Sequence, residues 1–361
     1  HGVLIVGSIT VLYTFIGGFL AVSYTDVVQG GLMFLALITV PIMALMSLDN
    51  PSDIFSWATS NPYGPWEHGN PDYFNMVAGV SAATIIGNIA WGLGYFGQPH
   101  IITRFMALRS PSEAKAARRT GTIWVAICYL GGIFTALVAT VYFGQKSASV
   151  TDQSGYETVF LDLARIMFHP LIAGIVLTAV LAAIMSTMSS QLLVTSSALI
   201  EDIYRIFKKN PNNTTLLVLS RAMVIGIALI GMLLALNPSD TILGLVGFAW
   251  AGFGAAFGPV VVASLYWKRL TSQGAIAGMI VGAVTSFVWG SVDALSGMIY
   301  EIVPGVILAT LAMVVVSLAT RPKEGVEEEF DTAAAATDYA LAHPDEDFAA
   351  ALRNRGGSTA V

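Results

Sequence analysis

The stretch "AAIMSTMSSQLLVTSS", Ala182 to Ser197, sets seven hydroxyl side chains within twelve positions: Ser186, Thr187, Ser189, Ser190, Thr195, Ser196 and Ser197. No charge interrupts the apolar run around it from Leu171 to Ile200. At helical spacing Ala183, Ser186 and Thr187 fall at i, i+3 and i+4, on one face. One backbone carbonyl and two hydroxyls are hard oxygen ligands, and a neutral oxygen cage suits a monovalent cation that must bind and then leave. The competing reading is structural: Ser and Thr bond back to their own helix or pack as small residues. The later four hydroxyls fit that second reading.

A second constellation is "WGLGYFGQPH", Trp91 to His100. Gly92, Gly94 and Gly97 spell G-x-G-x-x-G, but that pattern cradles a dinucleotide only between a strand and a helix of a soluble unit. Here it lies inside an apolar span. Three glycines and Pro99 weaken a helix and free backbone groups. Interrupted spans of this kind line midplane binding sites in transporters. Trp91, Tyr95 and Pro99 recur at i, i+4 and i+8, one face of an α-helix. Close helix packing through the glycines is the other reading, and spacing alone leaves both open.

Asp26, in "AVSYTDVVQ", stands between two apolar spans. Either it caps the start of a helix, where the dipole favours a carboxylate, or it lies on a cation's route. Arg221 lies at the cytoplasmic end of the sixth apolar span and can snorkel. The small residues of "WAGFGAAF", Trp250 to Phe257, argue for close packing. His68, His100, His169 and His343 are scattered, and no nucleophile–base pair or phosphate loop sits in a usable context, so enzymatic chemistry finds no support.

The elements that must position these groups are membrane helices. Of 361 residues 55% are hydrophobic and 11% charged, against about 25% charged in soluble domains. The single cysteine, Cys128, excludes a disulfide framework and a cysteine metal site. The net charge of −6 gives no reason to expect nucleic acid. Nine segments are long and apolar enough to cross a bilayer: 2–23, 27–48, 77–99, 121–144, 166–198, 214–236, 241–265, 273–290 and 298–320. The fifth is long enough to tilt or to extend into the cytoplasm.

Basic residues cluster after alternate spans: Arg104, Arg109, Lys115, Arg118 and Arg119; Arg205, Lys208 and Lys209; Lys268 and Arg269; Arg321 and Lys323. The loop from Asp49 to Met76 holds Asp49, Asp53, Glu67 and Asp72 and no Lys or Arg, and the loop around Asp152 holds only Lys146 and Arg165. The basic side is therefore expected to be cytoplasmic, with the C-terminus on it. Residues 321–361 are acidic and Ala-rich, which predicts a disordered cytoplasmic tail with at most one fraying helix. The chain opens on His1 and enters a span at once, and it reads as a piece whose N-terminal spans are missing.

The blocks "GGFLAVSYTDVVQ", "WGLGYFGQPHIITRFMA", "LAAIMSTMSSQLLVTSSALIEDIYR" and "WAGFGAAFGPVV" closely resemble the sodium/solute symporter family, over about Val11 to Thr320. The resemblance implies an all-α integral membrane protein with the leucine-transporter-type inverted-repeat bundle. It implies thirteen spans, of which the nine here are the last: the end of the first repeat in 1–48, the second repeat in 77–265, and two extra spans in 273–320, together one transporter domain over 1–320. It implies sodium-coupled symport of L-proline by alternating access across the bacterial inner membrane. Under it Ala183, Ser186 and Thr187 bind sodium, Trp91, Tyr95 and Pro99 bind substrate, and Asp26 serves sodium-dependent function. Its partners are then L-proline, sodium, the lipid bilayer and the missing N-terminal spans, with the co-transported sodium ion the only cofactor. Another small substrate, such as pantothenate or a different amino acid, and a transporter-like sensor module remain as alternatives.

Overall fold

Apolar runs of about twenty residues satisfy their own backbone only as helices in lipid, and every regular element among the described residues is helical. The computed structural model describes residues 2–60, 72, 74–145, 153–208, 211–236 and 241–343. Glu67, His68, Lys146, Asp152, Lys209 and the end of the tail lie outside them. Seven of the described helices are long and apolar enough to cross a membrane. Their outward Leu, Ile, Val and Phe side chains are largely exposed, as a lipid-facing surface requires. The helices group into two compact units, His1–Met76 with Gly121–Pro238, and Val77–Thr120 with Ser239–Val361.

In the first unit, α1 runs Gly2–Met46. Its 45 residues would extend about 68 Å as one rod, twice the hydrocarbon thickness. Gly18 breaks it, with φ 56° and ψ −155°, a conformation essentially reserved for glycine. The Tyr13 hydroxyl meets the Gln29 side chain, yet unbroken helix would hold these residues about 24 Å apart. The chain therefore folds back at Gly18 into two arms. The turn falls at Gly18 and not at 24–26 as the sequence spacing suggested. Asp26 consequently lies inside the second arm, eight residues beyond the turn, and caps no helix start.

The short α2 (Asp53–Ser60) is held by Gln145, whose Nε2 donates to Asp53 Oδ2 at 3.0 Å. The second arm of α1 packs Ala36, Val40 and Ala44 against Val138 and Val141. Those two residues belong to the long helix Glu113–Gln145. In the same unit run Gln153–Met167, Pro170–Ser197 and Asn213–Leu234. The helix from Pro170 continues through a seven-residue π segment, Ala198–Tyr204, to Phe207, the extension its length predicted.

In the second unit the expected third span is not one helix. It is α3 (Ala82–Ala90), a 3-10 segment (Trp91–Gly97) and α4 (Pro99–Met106). In chain order the helices of the preceding paragraph are α5 (Glu113–Gln145), α6, α7 (Pro170–Ser197), α8 (Arg205–Phe207) and α9 (Asn213–Leu234). Pro99 explains the restart: it disfavours helical backbone at Gln98, which is extended at φ −87° and ψ 108°, and suits the first helical position. Then come α10 (Ile242–Tyr266), α11 (Ser272–Ser291), α12 (Asp293–Ser296) and α13 (Ile302–Ala319). Gly274, Gly278 and Gly282 recur every four residues along α11 and bring it into backbone contact with α13 and α10.

The tail forms α14 (Val326–Ala342), where composition allowed at most a fraying helix. Lys268, after α10, pairs with its Asp331 and lies 5.7 Å from the Phe330 ring centroid.

Candidate functional site

The hydroxyl-rich face of α7 carries three different environments. Ser186 Oγ donates to the Ala183 carbonyl at 2.9 Å, so two of the three sequence-predicted ligands already meet each other. Ser189 and Ser190 both donate to the Ser186 carbonyl, at 3.0 and 2.8 Å, and Ser196 donates to Leu193 O at 2.9 Å. Those three serines are buried and bond back to their own helix, as the structural reading has it. Thr187 differs, for its side chain is exposed.

Beside this face lies a polar cluster that sequence reasoning missed. Tyr13 Oη donates to the Met185 carbonyl at 2.9 Å. The same hydroxyl lies beside the Ser189, Gln29 and Thr14 side chains and within the field of Asp26. Thr14 is 2% exposed. Its Oγ1 and Gln29 Oε1 are both buried. With the Asp26 carboxylate they form an oxygen-rich cluster. The signal was present in the sequence: Thr10, Tyr13 and Thr14 recur at i, i+3 and i+4 in an apolar run, and Gln29 follows Asp26 by one turn. An apolar groove of about 550 Å³ in the same unit, lined by Val3, Gly7, Leu181, Ile184, Met188 and Ile227, is separate from Ala183, Ser186 and Thr187.

The second constellation lies wholly in the other unit. A 3-10 helix repeats every three residues, so Trp91, Gly94 and Gly97 share a face and Tyr95 lies to one side of it. The common face expected from α-helical spacing for Trp91, Tyr95 and Pro99 is therefore not the one that forms. The face that does form packs on α10. Trp91 stacks with Trp250 at 5.3 Å and 13°, and Trp250 Nε1 donates to the Trp91 carbonyl at 2.9 Å. A methyl group on Gly94 would sit 1.9 Å from Trp250 Nε1, and one on Gly97 would sit 2.3 Å from Phe253 O. At these two positions the packing role of the glycines is what the structure displays.

Tyr95 still joins the group. Its ring meets Trp250 edge-on at 4.8 Å and 84°, and it keeps 36% exposure. Pro99 starts α4, and the buried Gln98 before it donates from Nε2 to the Trp250 carbonyl at 3.2 Å. The arrangement is an aromatic wall with an accessible phenol, on a segment whose backbone is not locked into α-helical bonding. It can bind a small amphipathic solute and has no reacting group to transform it. Among the described residues no group of His, Cys, Asp and Glu could hold a metal.

Comparison with known proteins agrees with this reading of a carrier and not an enzyme. The model of the sodium:solute symporter family matches residues 1–282. The high-affinity proline transporter PutP of Bacillus subtilis is 46% identical over 332 residues, which cover 91% of this chain and 68% of that protein. The osmoregulated proline transporter OpuE of the same organism is 46% identical over 89% of this chain and 63% of its own length. The sodium/proline symporter of Escherichia coli is 44% identical over 89% of this chain and 62% of its own. This chain thus spans about two thirds of the length of these relatives. A solved substrate-bound outward-open state of a Na+-coupled sialic acid symporter superposes with a TM-score of 0.71 at 21% identity, covering 89% of this chain and 66% of that one, and so shares the fold. With its apolar helices, its helical architecture and a family match over most of its length, the chain is a multi-pass membrane transporter that belongs to the sodium:solute symporter family.

Proposed function

We propose that this chain serves the sodium-coupled symport of L-proline into the bacterial cell by alternating access. The observation that carries the substrate is the 44–46% identity to three relatives named as proline transporters or symporters, over about nine tenths of the chain. Sodium binds the hydroxyl face of α7 through Thr187, Ser186 and the Ala183 carbonyl. Asp26, with Thr14 and Gln29, supplies the charged part of its route. These are hard oxygens, and they cover only part of the six or so ligands that such a cation gathers.

Proline binds at the 3-10 segment, with Tyr95 and Trp91 against its ring and the weakened backbone before Pro99 near its polar end. The two ligand sets lie in different units, so their coupling is a linkage through populations of states: sodium favours the state that binds proline, and proline favours the state that binds sodium by the same factor. The electrical part of the drive is about 2.3 kcal/mol per charge per 100 mV. The basic loops face the cytoplasm in this scheme.

Tyr95→Ala tests the substrate half. In cells expressing the natural gene it is expected to raise the KM for proline about tenfold while leaving half-saturation by sodium unchanged, the pattern of lost substrate contact. Normal proline dependence with reduced protein abundance would assign Tyr95 to packing alone.

A further inference from the structure

Trp91 has a second aromatic neighbour that the binding scheme does not use. Tyr300 immediately precedes Glu301 and α13, outside the segment the resemblance assigns to the repeats. Its ring stacks with the Trp91 indole at 5.9 Å and 16°. Its hydroxyl donates to the Gly247 carbonyl at 2.7 Å, on the same helix as Trp250 and one turn before it. Tyr300 is itself seated closely: a methyl group on Gly87, in α3, would lie 3.0 Å from its Cβ. One side chain therefore touches all three parts that shape the aromatic wall: α3 through Gly87, the 3-10 segment through Trp91, and α10 through Gly247. Ala90, Ala251 and Ile302 pack into one buried cluster with Trp250 and Tyr300 beneath this contact.

The 3-10 segment needs such a support. Its hydrogen bonds are weaker than those of an α-helix, and the extended Gln98 interrupts the helical path. The rotation of the segment, and hence the direction in which Tyr95 projects, is set by side chains outside it. Trp250 holds one end by accepting the stack and bonding the Trp91 carbonyl. Tyr300 holds the same indole from a different element and ties its own position to α10.

We propose that Tyr300 is a positioning residue for the substrate subsite: by stacking on Trp91 and anchoring to Gly247 it sets the register of the 3-10 segment and so the affinity for substrate. This rests on the assignment of Trp91 and Tyr95 to substrate binding. Tyr300 makes no contact with substrate in this scheme. A bulk-filling residue without a ring keeps the volume and loses the stack.

Two measurements on the natural gene product, carrying Tyr300→Leu or Tyr300→Phe, test it. The first is near-ultraviolet circular dichroism of the purified protein, where the stacked indoles of Trp91 and Trp250 contribute a signal obtained by difference from Trp91→Phe. The second is the dependence of uptake on proline and on sodium. Tyr300→Leu is expected to lose most of the indole signal and to raise the KM for proline by about three- to tenfold, the worth of one aromatic pair, at unchanged sodium half-saturation. Tyr300→Phe keeps the ring but loses the bond to Gly247, and is expected to keep the signal and to fall between the natural protein and Tyr300→Leu in proline affinity. An intact indole signal in Tyr300→Leu overturns the positioning role by itself. A lost signal with normal proline dependence, shared by Trp91→Phe, overturns the substrate assignment and the positioning role with it. Equal impairment by Leu and Phe, with no change in the signal, also overturns it.

Discussion

Replacing Gly97 with alanine is expected to remove most of the folded protein from the membrane. The added methyl group would lie 2.3 Å from Phe253 O and 2.7 Å from Gly254 Cα. Both are backbone atoms of α10, so no rotamer can make room. The 3-10 segment must lift away from α10, and it takes the Trp91–Trp250 stack with it. Overpacking in a tight interior costs about 1–3 kcal/mol, and a clash with rigid backbone belongs at or above the top of that range. Losses of this size change abundance several-fold. Immunoblotting of membranes and thermal unfolding in detergent would both report it. Gly92→Ala is the control, because nothing lies within 4 Å of the methyl group it would add. Gly97→Ala at ordinary abundance and melting temperature would mean that the segment does not pack on α10 as described.

The second large effect concerns the cation. Thr187→Ala and Asp26→Asn are each expected to raise the sodium concentration for half-maximal uptake by tenfold or thereabouts, since a lost charge-assisted ligand costs about 1.5–3 kcal/mol. Thr187 is exposed and has little packing to lose, so its removal isolates an oxygen ligand. Asp26→Asn keeps the shape and removes the charge beside Thr14 and Gln29. Ser196→Ala is the internal comparison: that hydroxyl bonds its own helix at Leu193 O, and its loss should leave sodium activation alone. Uptake measured against sodium at fixed proline separates these cases. Should Thr187→Ala and Asp26→Asn show the same sodium curve as Ser196→Ala, the hydroxyl face of α7 is structural throughout.

The helical membrane class, most span positions and the weak point before Pro99 were legible in the sequence because they depend on local chemistry. Apolar length dictates helices in lipid, and a proline imposes extended backbone on the residue before it. What was not legible depended on period or on distance along the chain. Trp91 and Tyr95 were placed on one face by the α-helical period, but Trp91–Gly97 turns every three residues, and the two rings meet only through Trp250, one stacked on it and one edge-on. Asp26 was placed at a helix start because polar residues surround it, whereas the reversal belongs to Gly18, whose positive φ no spacing rule reveals. The partners that build the aromatic wall, Trp250 and Tyr300, stand 159 and 209 positions beyond Trp91 in the chain. No periodicity within one span can find them. At α7 the sequence shows the density of hydroxyls, but only the fold shows that Ser186 is bonded to the Ala183 carbonyl and that Thr187 is exposed.

The central proposal is that sodium and proline move together through this transporter. The direct measurement is uptake of radiolabelled proline into membrane vesicles bearing the natural gene product, with an inward sodium gradient set against an equal gradient of choline. The account predicts saturable proline accumulation that requires sodium and collapses when a sodium ionophore dissipates the gradient. Proline accumulation of equal size in the choline gradient would contradict it.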